Sequence, residues 1–408
     1  MTEHETHPPA VMPMRRLFLS IPFAGAAAPL AYAVAAYYLP LQVQAIDADA
    51  KIENLSLVQT LSAVAAMLAQ PVIGILSDRT RTRHGARTPW MLIGAAIGAV
   101  GMAVAGLSST IAHLVVAMMI LQFGFNAFQG PLSSILPDRV PTDRRGRFST
   151  LIGLGTVLAA LLGPVLASAF AGRIPVGYLS VAGLVLLTIV IFLALNPDHD
   201  NRHLPKPQLP ARALWINPVH HPDFFWAFLG RILIFGGFAM TNTFQLYIAQ
   251  DHIGLTLDEA ARLVPLIGLA GLPGFLLAIG LSGPLSDRLG RRKPLVLAGG
   301  LIIAASALFP VFWPTVAGLI VSAVVLTIGF GTFISVDMAL VSEVLPRKDD
   351  YAKDLGVINI AATLPSTIAP VAAGTIVTAF GGYGALYLAV TVIAALGALA
   401  VLPIRSVR

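Results

Sequence analysis

Two ionisable residues lie deep inside apolar runs, where charge is costly: Arg231 and Asp337. Asp337 stands nine residues before Pro346, and Arg231 stands eight after Asp223. On helices they therefore sit roughly 13 Å and 12 Å in from the same end. An acid and a base at matched depth in an apolar setting are expected to face a cavity or each other. If they pair, protonation of Asp337 weakens the pair, which is the chemistry a proton-coupled cycle needs. A permanent structural pair is the alternative.

A second group of residues suits a neutral polar ligand. Gln122, Asn126 and Gln129 fall at i, i+4 and i+7 and share one face of a helix. Asn359 and Thr363 do the same further on, and Asn242, Gln245 and Tyr32 add to the set. Amides and phenols hydrogen-bond hydroxyls, and aromatic rings stack on sugar faces. The same groups also serve as hydrogen bonds between helices. With no cysteine there is no thiol chemistry, disulfide or cysteine metal site. No nucleophile–base pair, phosphate loop or metal-ligand cluster stands out, and the expectation is neither an enzyme nor a metalloprotein. The pair His220 and His221 reads as solvated.

The elements that position these residues follow from composition. The chain is 56% hydrophobic and only 11% charged, against about 25% charged in a soluble domain. Its apolar residues fall in runs long enough to span a hydrocarbon core of about 30 Å. Helices are expected over 17–44, 55–76, 90–107, 112–136, 148–171 and 176–195, then over 224–249, 260–285, 294–312, 316–344, 355–380 and 383–402. The fold class is thus all-α integral membrane: twelve transmembrane helices as two six-helix bundles. A leader is expected over 1–16, the first bundle over 17–195 and a linker over 196–222. The second bundle follows over 223–403 and a tail over 404–408.

The net charge is +6. The basic residues gather in short loops between apolar runs, the pattern of cytoplasmic loops rather than of a nucleic-acid surface. With both termini inside, nearly all Lys and Arg fall on one side. The expected location is the plasma (inner) membrane of the cell, as a monomer in the bilayer binding a small molecule and no nucleic acid.

Two loops echo each other. Gly74 begins a stretch with Asp78, Arg79, Gly85 and Arg87; Gly283 begins a shorter one with Asp287, Arg288, Gly290 and Arg291. Asp78 and Asp287 are 209 positions apart, as are Pro137 and Pro346. Gly163-Pro164 and Ala369-Pro370 follow at an offset of 206. The recurrence argues for two related halves and for a gating role. Asp78 at the C-terminal end of its helix faces the negative end of the dipole, so nearby arginines or another helix N-terminus must compensate it. Gly74 is expected to admit a close helix neighbour. A basic loop with one balancing acid is the plainer reading.

The Gly283 to Lys293 stretch resembles the loop signature of major facilitator transporters. The longer first copy resembles the glycoside and sucrose proton symporters, including plant sucrose transporters and their animal relatives. Asn126-Ala-Phe-Gln129-Gly130-Pro131 and Leu355 to Ala361 followed by Pro365 resemble their helix 4 and helix 11 segments. The resemblance implies a parallel repeat of two six-helix halves with the substrate path between them. It also implies that Asp78 docks near the start of helix 11, and Asp287 near helix 5, in the outward-facing state. Gln122 stands where those symporters carry an aspartate, so any proton carrier must lie elsewhere. The expected function is secondary transport of a small polar solute, a sugar or glycoside favoured. It would be driven by a proton or other cation gradient, with no cofactor. A drug or metabolite/proton antiporter and an uncoupled uniporter are the alternatives.

Overall fold

The computed structural model describes residues 14–203, 222–344 and 351–405, with side chains at all of these but 70, 71, 142, 287, 338, 341–360, 362 and 363. The described residues form helices and connecting turns. The long helices are α1 Met14–Ile46, α2 Lys51–Arg79, α3 Thr88–Gly106, α4 Ile111–Arg139, α5 Arg145–Ser168 and α6 Ile174–Leu195. They continue as α7 Pro222–Thr243, α8 Leu257–Leu289, α9 Lys293–Ser306, α10 Val316–Val344, α11 Tyr351–Ala379 and α12 Tyr383–Leu399. Among the described residues ten stretches are long and apolar enough to cross a bilayer, and α11 and α12 contribute two shorter apolar helices. Large apolar side chains stay uncovered on them, Leu277 at 63% and Leu281 at 67%. Such a surface suits hydrocarbon rather than water.

The described residues fall into two compact units. Unit 1 comprises 14–36, 68–108 and 116–203; unit 2 comprises 37–67, 109–115, 222–344 and 351–405. Most of the expected linker, with His220 and His221, lies outside the described residues.

Each unit carries a close helix crossing built on paired glycines. In unit 1, a Cβ on Gly124 of α4 would sit 2.1 Å from the Gly98 nitrogen of α3, and one on Gly94 would sit 2.6 Å from the Phe128 nitrogen. In unit 2, a Cβ on Gly329 of α10 would sit 2.8 Å from the Gly299 oxygen of α9. Lipid offers no hydrophobic drive for helix association, so backbones approach through missing side chains. Gly94 to Gly299 and Gly124 to Gly329 are each 205 positions apart. The same crossing is therefore built twice, as the echoed loops suggest.

Two expected helices are broken. The seventh, expected over 224–249, ends at Thr243; a short turn Gln245–Tyr247 and a π-helical turn Ile248–His252 follow. Thr241, Asn242 and Thr243 bond their side chains to the carbonyls of Gly237, Phe238 and Ala239, four residues back. Back-bonding of this kind competes with the helical ladder and bends it. The ninth breaks at Ala307, before the short helix Leu308–Phe312. Pro310 has no N–H to offer the Ser306 carbonyl. The Ser322 hydroxyl of α10 donates to that carbonyl instead, at 2.7 Å.

Candidate functional site

In unit 2 the Arg231 guanidinium of α7 donates to the Asp337 carboxylate of α10. The two side chains are 7% and 4% exposed. Their surroundings follow from helical spacing. Arg231, Phe235 and Phe238 occupy i, i+4 and i+7 on α7, and Phe330, Phe333 and Asp337 occupy i, i+3 and i+7 on α10. Phe238 stacks on Phe330 with ring centroids 4.0 Å apart, and Phe235 meets Phe330 edge-on at 5.4 Å. Phe275 of α8 extends the stack at 6.4 Å. The Arg231 guanidinium also lies 5.2 Å from the Phe235 ring centre, within cation–π range. A charged pair thus ends an aromatic wall. Burial makes the pair costly to break from one side.

Unit 1 carries a polar cluster. The Asn126 amide donates to the Tyr32 hydroxyl at 2.9 Å and to the Gln122 backbone carbonyl at 2.8 Å. The Gln122 side-chain oxygen lies 3.3 Å from the same nitrogen. Asn126 is buried, while Gln122, Tyr32 and Gln129 are half-buried. Gln129 lies one turn further along α4. Tyr32 is steadied by an edge-on contact with Phe125 at 6.0 Å. Neutral donors and acceptors with partly open faces can exchange hydrogen bonds with a hydroxylated solute.

Asn242 and Gln245 belong to the broken end of α7, where the Gln245 amide donates to the Asn242 side-chain oxygen at 2.8 Å. Gln245, Thr241, Ser322 and Tyr387 border a cavity of about 30 Å³. That space suits a water rather than a sugar. The side chains of Asn359 and Thr363 lie outside the described residues.

The first echoed loop is a closed ionic lattice within unit 1. Arg87 donates to Asp78 at 2.5 Å and to Asp138, at the end of α4, at 3.0 Å. It also reaches the Ser77 hydroxyl at 3.0 Å. Arg87 thus supplies the compensation that Asp78 requires. Burial by itself would lower the Arg87 pKa, but the hydrogen bonds and charges of Asp78 and Asp138 outweigh it and the net shift is upward. Gly85 adopts φ +78°, and a Cβ there would collide with the Asp198 side chain at 2.1 Å.

Asp198 and Asn201, just past α6, form a strap that the sequence reading did not single out. Asp198 accepts from the Arg87 backbone at 3.2 Å and faces Arg139 at 2.5 Å. Asn201 accepts from the Thr82 N–H at 2.8 Å and donates to the Thr80 carbonyl at 3.0 Å. The available signal was two short polar residues directly after an apolar run, opposite a loop crowded with arginines. Lys51 and Asp251 were also passed over. They pair at 2.8 Å in unit 2, and Tyr383 donates to the same carboxylate at 3.1 Å.

Among the described residues Gly74 has no close neighbour. A Cβ there would meet nothing within 4 Å, and the same holds at Gly283. Gly290 has a different use, closing α8 with φ +58°, the left-handed cap that glycine adopts most readily. Arg79, Arg288 and Arg291 are exposed. The side chains of Asp287 and of the first turns of α11 lie outside the described residues, so the docking expected there has no geometry to report.

The sequence matches the family described as Major Facilitator Superfamily over residues 21–282 and 274–408. An MFS transporter of Aspergillus flavus is 24% identical over 320 residues, covering 77% of this chain and 69% of that protein. A sucrose transport protein of Arabidopsis thaliana is 22% identical over 122 residues, covering 24% of this chain and 20% of its own length. Among solved structures, a peptide transporter in complex with sulfate superposes with a TM-score of 0.74 at 14% identity. It covers 95% of this chain and 94% of that one.

Proposed function

Because the chain belongs to the Major Facilitator Superfamily, a family of multi-pass membrane transporters rather than enzymes, we propose a specific transport reaction for it. It moves a small polar solute, a sugar or glycoside, by alternating access in symport with protons. The observation that carries the coupling is the buried Arg231–Asp337 pair. Where the sugar symporters it resembles carry a helix 4 acid, this chain has Gln122, so Asp337 takes the proton-carrying role. Protonation neutralises Asp337 and releases Arg231, changing the packing of α7 on α10. The polar solute is received by Asn126, Gln122 and Tyr32. The local likeness to a sucrose transport protein favours this solute class. The basic face of the bundle is cytoplasmic by the positive-inside rule, the membrane is the plasma (inner) membrane, and the chain works as a monomer.

The test uses protein reconstituted into proteoliposomes. An inward proton gradient should accumulate a labelled glycoside against its own gradient, and Asp337→Asn should abolish accumulation while leaving exchange at equal concentrations. Accumulation unchanged in Asp337→Asn would overturn the coupling assignment. A second reading is favoured by the aromatic wall of Phe235, Phe238, Phe330 and Phe275 beside a buried acid. It is proton-driven export of a lipophilic cation, which such a wall and carboxylate would bind. Thermal stabilisation by lipophilic cations and not by glycosides would select it.

A further inference from the structure

Unit 1 presents an arginine-rich end beside an uncovered apolar ridge. Arg15 and Arg16 lie in the first described turn of α1, and Arg144 and Arg147 lie at the start of α5. Arg15, Arg144 and Arg147 border one cleft of about 610 Å³ together with Phe18 and Leu19. Leu19 also borders a second cleft, of about 370 Å³, that runs between α1 and α6 past Phe23, Ile191 and Leu195 with Arg16 at its mouth. One residue therefore joins a cationic pocket to an apolar groove. Leu19 and Phe23 are 64% and 67% exposed.

Among the described residues these charges are poorly balanced. Among the described residues Arg144 pairs with the exposed Asp143, at 3.6 Å. Arg147 lies over the Phe18 ring at 5.7 Å. Among the described residues no carboxylate forms an ion pair with Arg15, Arg16 or Arg147. Arg145 is committed elsewhere, donating to the carbonyls of Val140 and Pro137 at the end of α4. The N-terminus of α5 has no side-chain cap, and cations in a first helical turn oppose the dipole. An anion placed there relieves both penalties. In a helix crossing a bilayer, this end lies at headgroup depth and the Leu19–Phe23 ridge lies against acyl chains.

We propose that this surface is a binding site for an anionic glycerophospholipid. Its phosphate sits among Arg15, Arg144 and Arg147, and one acyl chain passes Leu19 into the groove along Phe23, Ile191 and Leu195. The site rests on the chain's being a multi-pass membrane protein and not on the identity of the transported solute. Bound lipid adds a ligand-mediated tie between the start of α1 and α5 and α6 to the side-chain contacts of Phe18 with Phe148 and of Ser20 with Asn196.

Purified full-length protein is delipidated and incubated with phosphatidylglycerol or phosphatidylcholine, and retained lipid is read by native mass spectrometry. Wild type should retain phosphatidylglycerol in preference, by about fivefold for each arginine engaged. The triple variant Arg15→Gln, Arg144→Gln, Arg147→Gln should lose the preference. Leu19→Asn with Phe23→Asn should weaken retention while leaving the cations in place, which keeps the test valid if the triple variant folds poorly. Removing Arg288 and Arg291, cations of unit 2, should leave retention unchanged. Equal retention of both lipids by wild type overturns the proposal, as does an equal loss on removing Arg288 and Arg291. Displacement of the lipid by millimolar inorganic phosphate would assign the pocket to a free anion and also overturn it. Each readout is of binding alone, so a failed transport assay leaves it intact.

Discussion

Arg231 and Asp337 lie 106 positions apart in sequence and join α7 to α10 through one buried ion pair. Removing either partner strands a charge away from water. Asp337→Asn alone should therefore destabilise the protein by about 3–5 kcal/mol, whereas Arg231→Met combined with Asp337→Leu should recover most of that loss. Thermal unfolding in one detergent checks both. The double variant should still fail to accumulate solute, which separates stability from coupling.

Arg87 spans Asp78 and Asp138 with different nitrogens of one guanidinium. A lysine offers one point charge and cannot reproduce that fork. The acids are 46% and 43% exposed, so Arg87→Lys should cost no more than about 1 kcal/mol of stability. Its larger effect should be on the rate of conformational cycling. Stopped-flow fluorescence of solute exchange, alongside the melting temperature, distinguishes the two quantities.

Gly85→Ala puts a methyl group where Asp198 now sits, on backbone at φ +78°. The strap must lift or the loop must refold, at a cost of about 1–3 kcal/mol. Limited proteolysis should then cut faster after Arg202, and a second substitution, Asp198→Gly, should remove part of the cost.

Ser322→Ala should be more damaging than its surface-like chemistry suggests. It leaves the Ser306 carbonyl, already denied a partner by Pro310, without the Ser322 hydroxyl donor. A buried acceptor without its donor costs about 1–3 kcal/mol. Ser322→Thr, which keeps the hydroxyl, should lie closer to wild type in thermal unfolding.

Tyr32→Phe removes one acceptor from Asn126 while keeping the edge contact with Phe125. If this cluster receives the solute, the apparent KM should rise with little change in melting temperature. Asn126→Ala should do the same more strongly, and an unchanged KM in both would move the solute site off α4.

Much of the architecture was legible along the chain because it depends on local periodicity. Twelve apolar runs, the breaks between them and the two echoed loops follow from residue type and spacing alone. The matched depths of Arg231 and Asp337 could likewise be counted from Asp223 and Pro346. Fine helix geometry was less accessible. The break at Phe244 depends on three consecutive side chains choosing carbonyls over solvent, and the one at Ala307 on Ser322 answering the carbonyl of Ser306, sixteen residues before it.

By itself the sequence determined the helical membrane class, the two echoed loops and which polar residues fall inside apolar runs. These are properties of burying or exposing one segment at a time in lipid. Tertiary structure alone decided which of those residues meet: Arg231 with Asp337, Asn126 with Tyr32, and Arg87 with two acids at once. It also turned Asn242 and Gln245 toward each other, left Gly74 without a close neighbour among the described residues and recruited Asp198 and Asn201 to the loop. The reason is that a side chain's partner depends on how helices rotate and cross, which is fixed by close backbone contacts such as Gly98 with Gly124. A helical period says which face a residue occupies, but only packing says what that face touches.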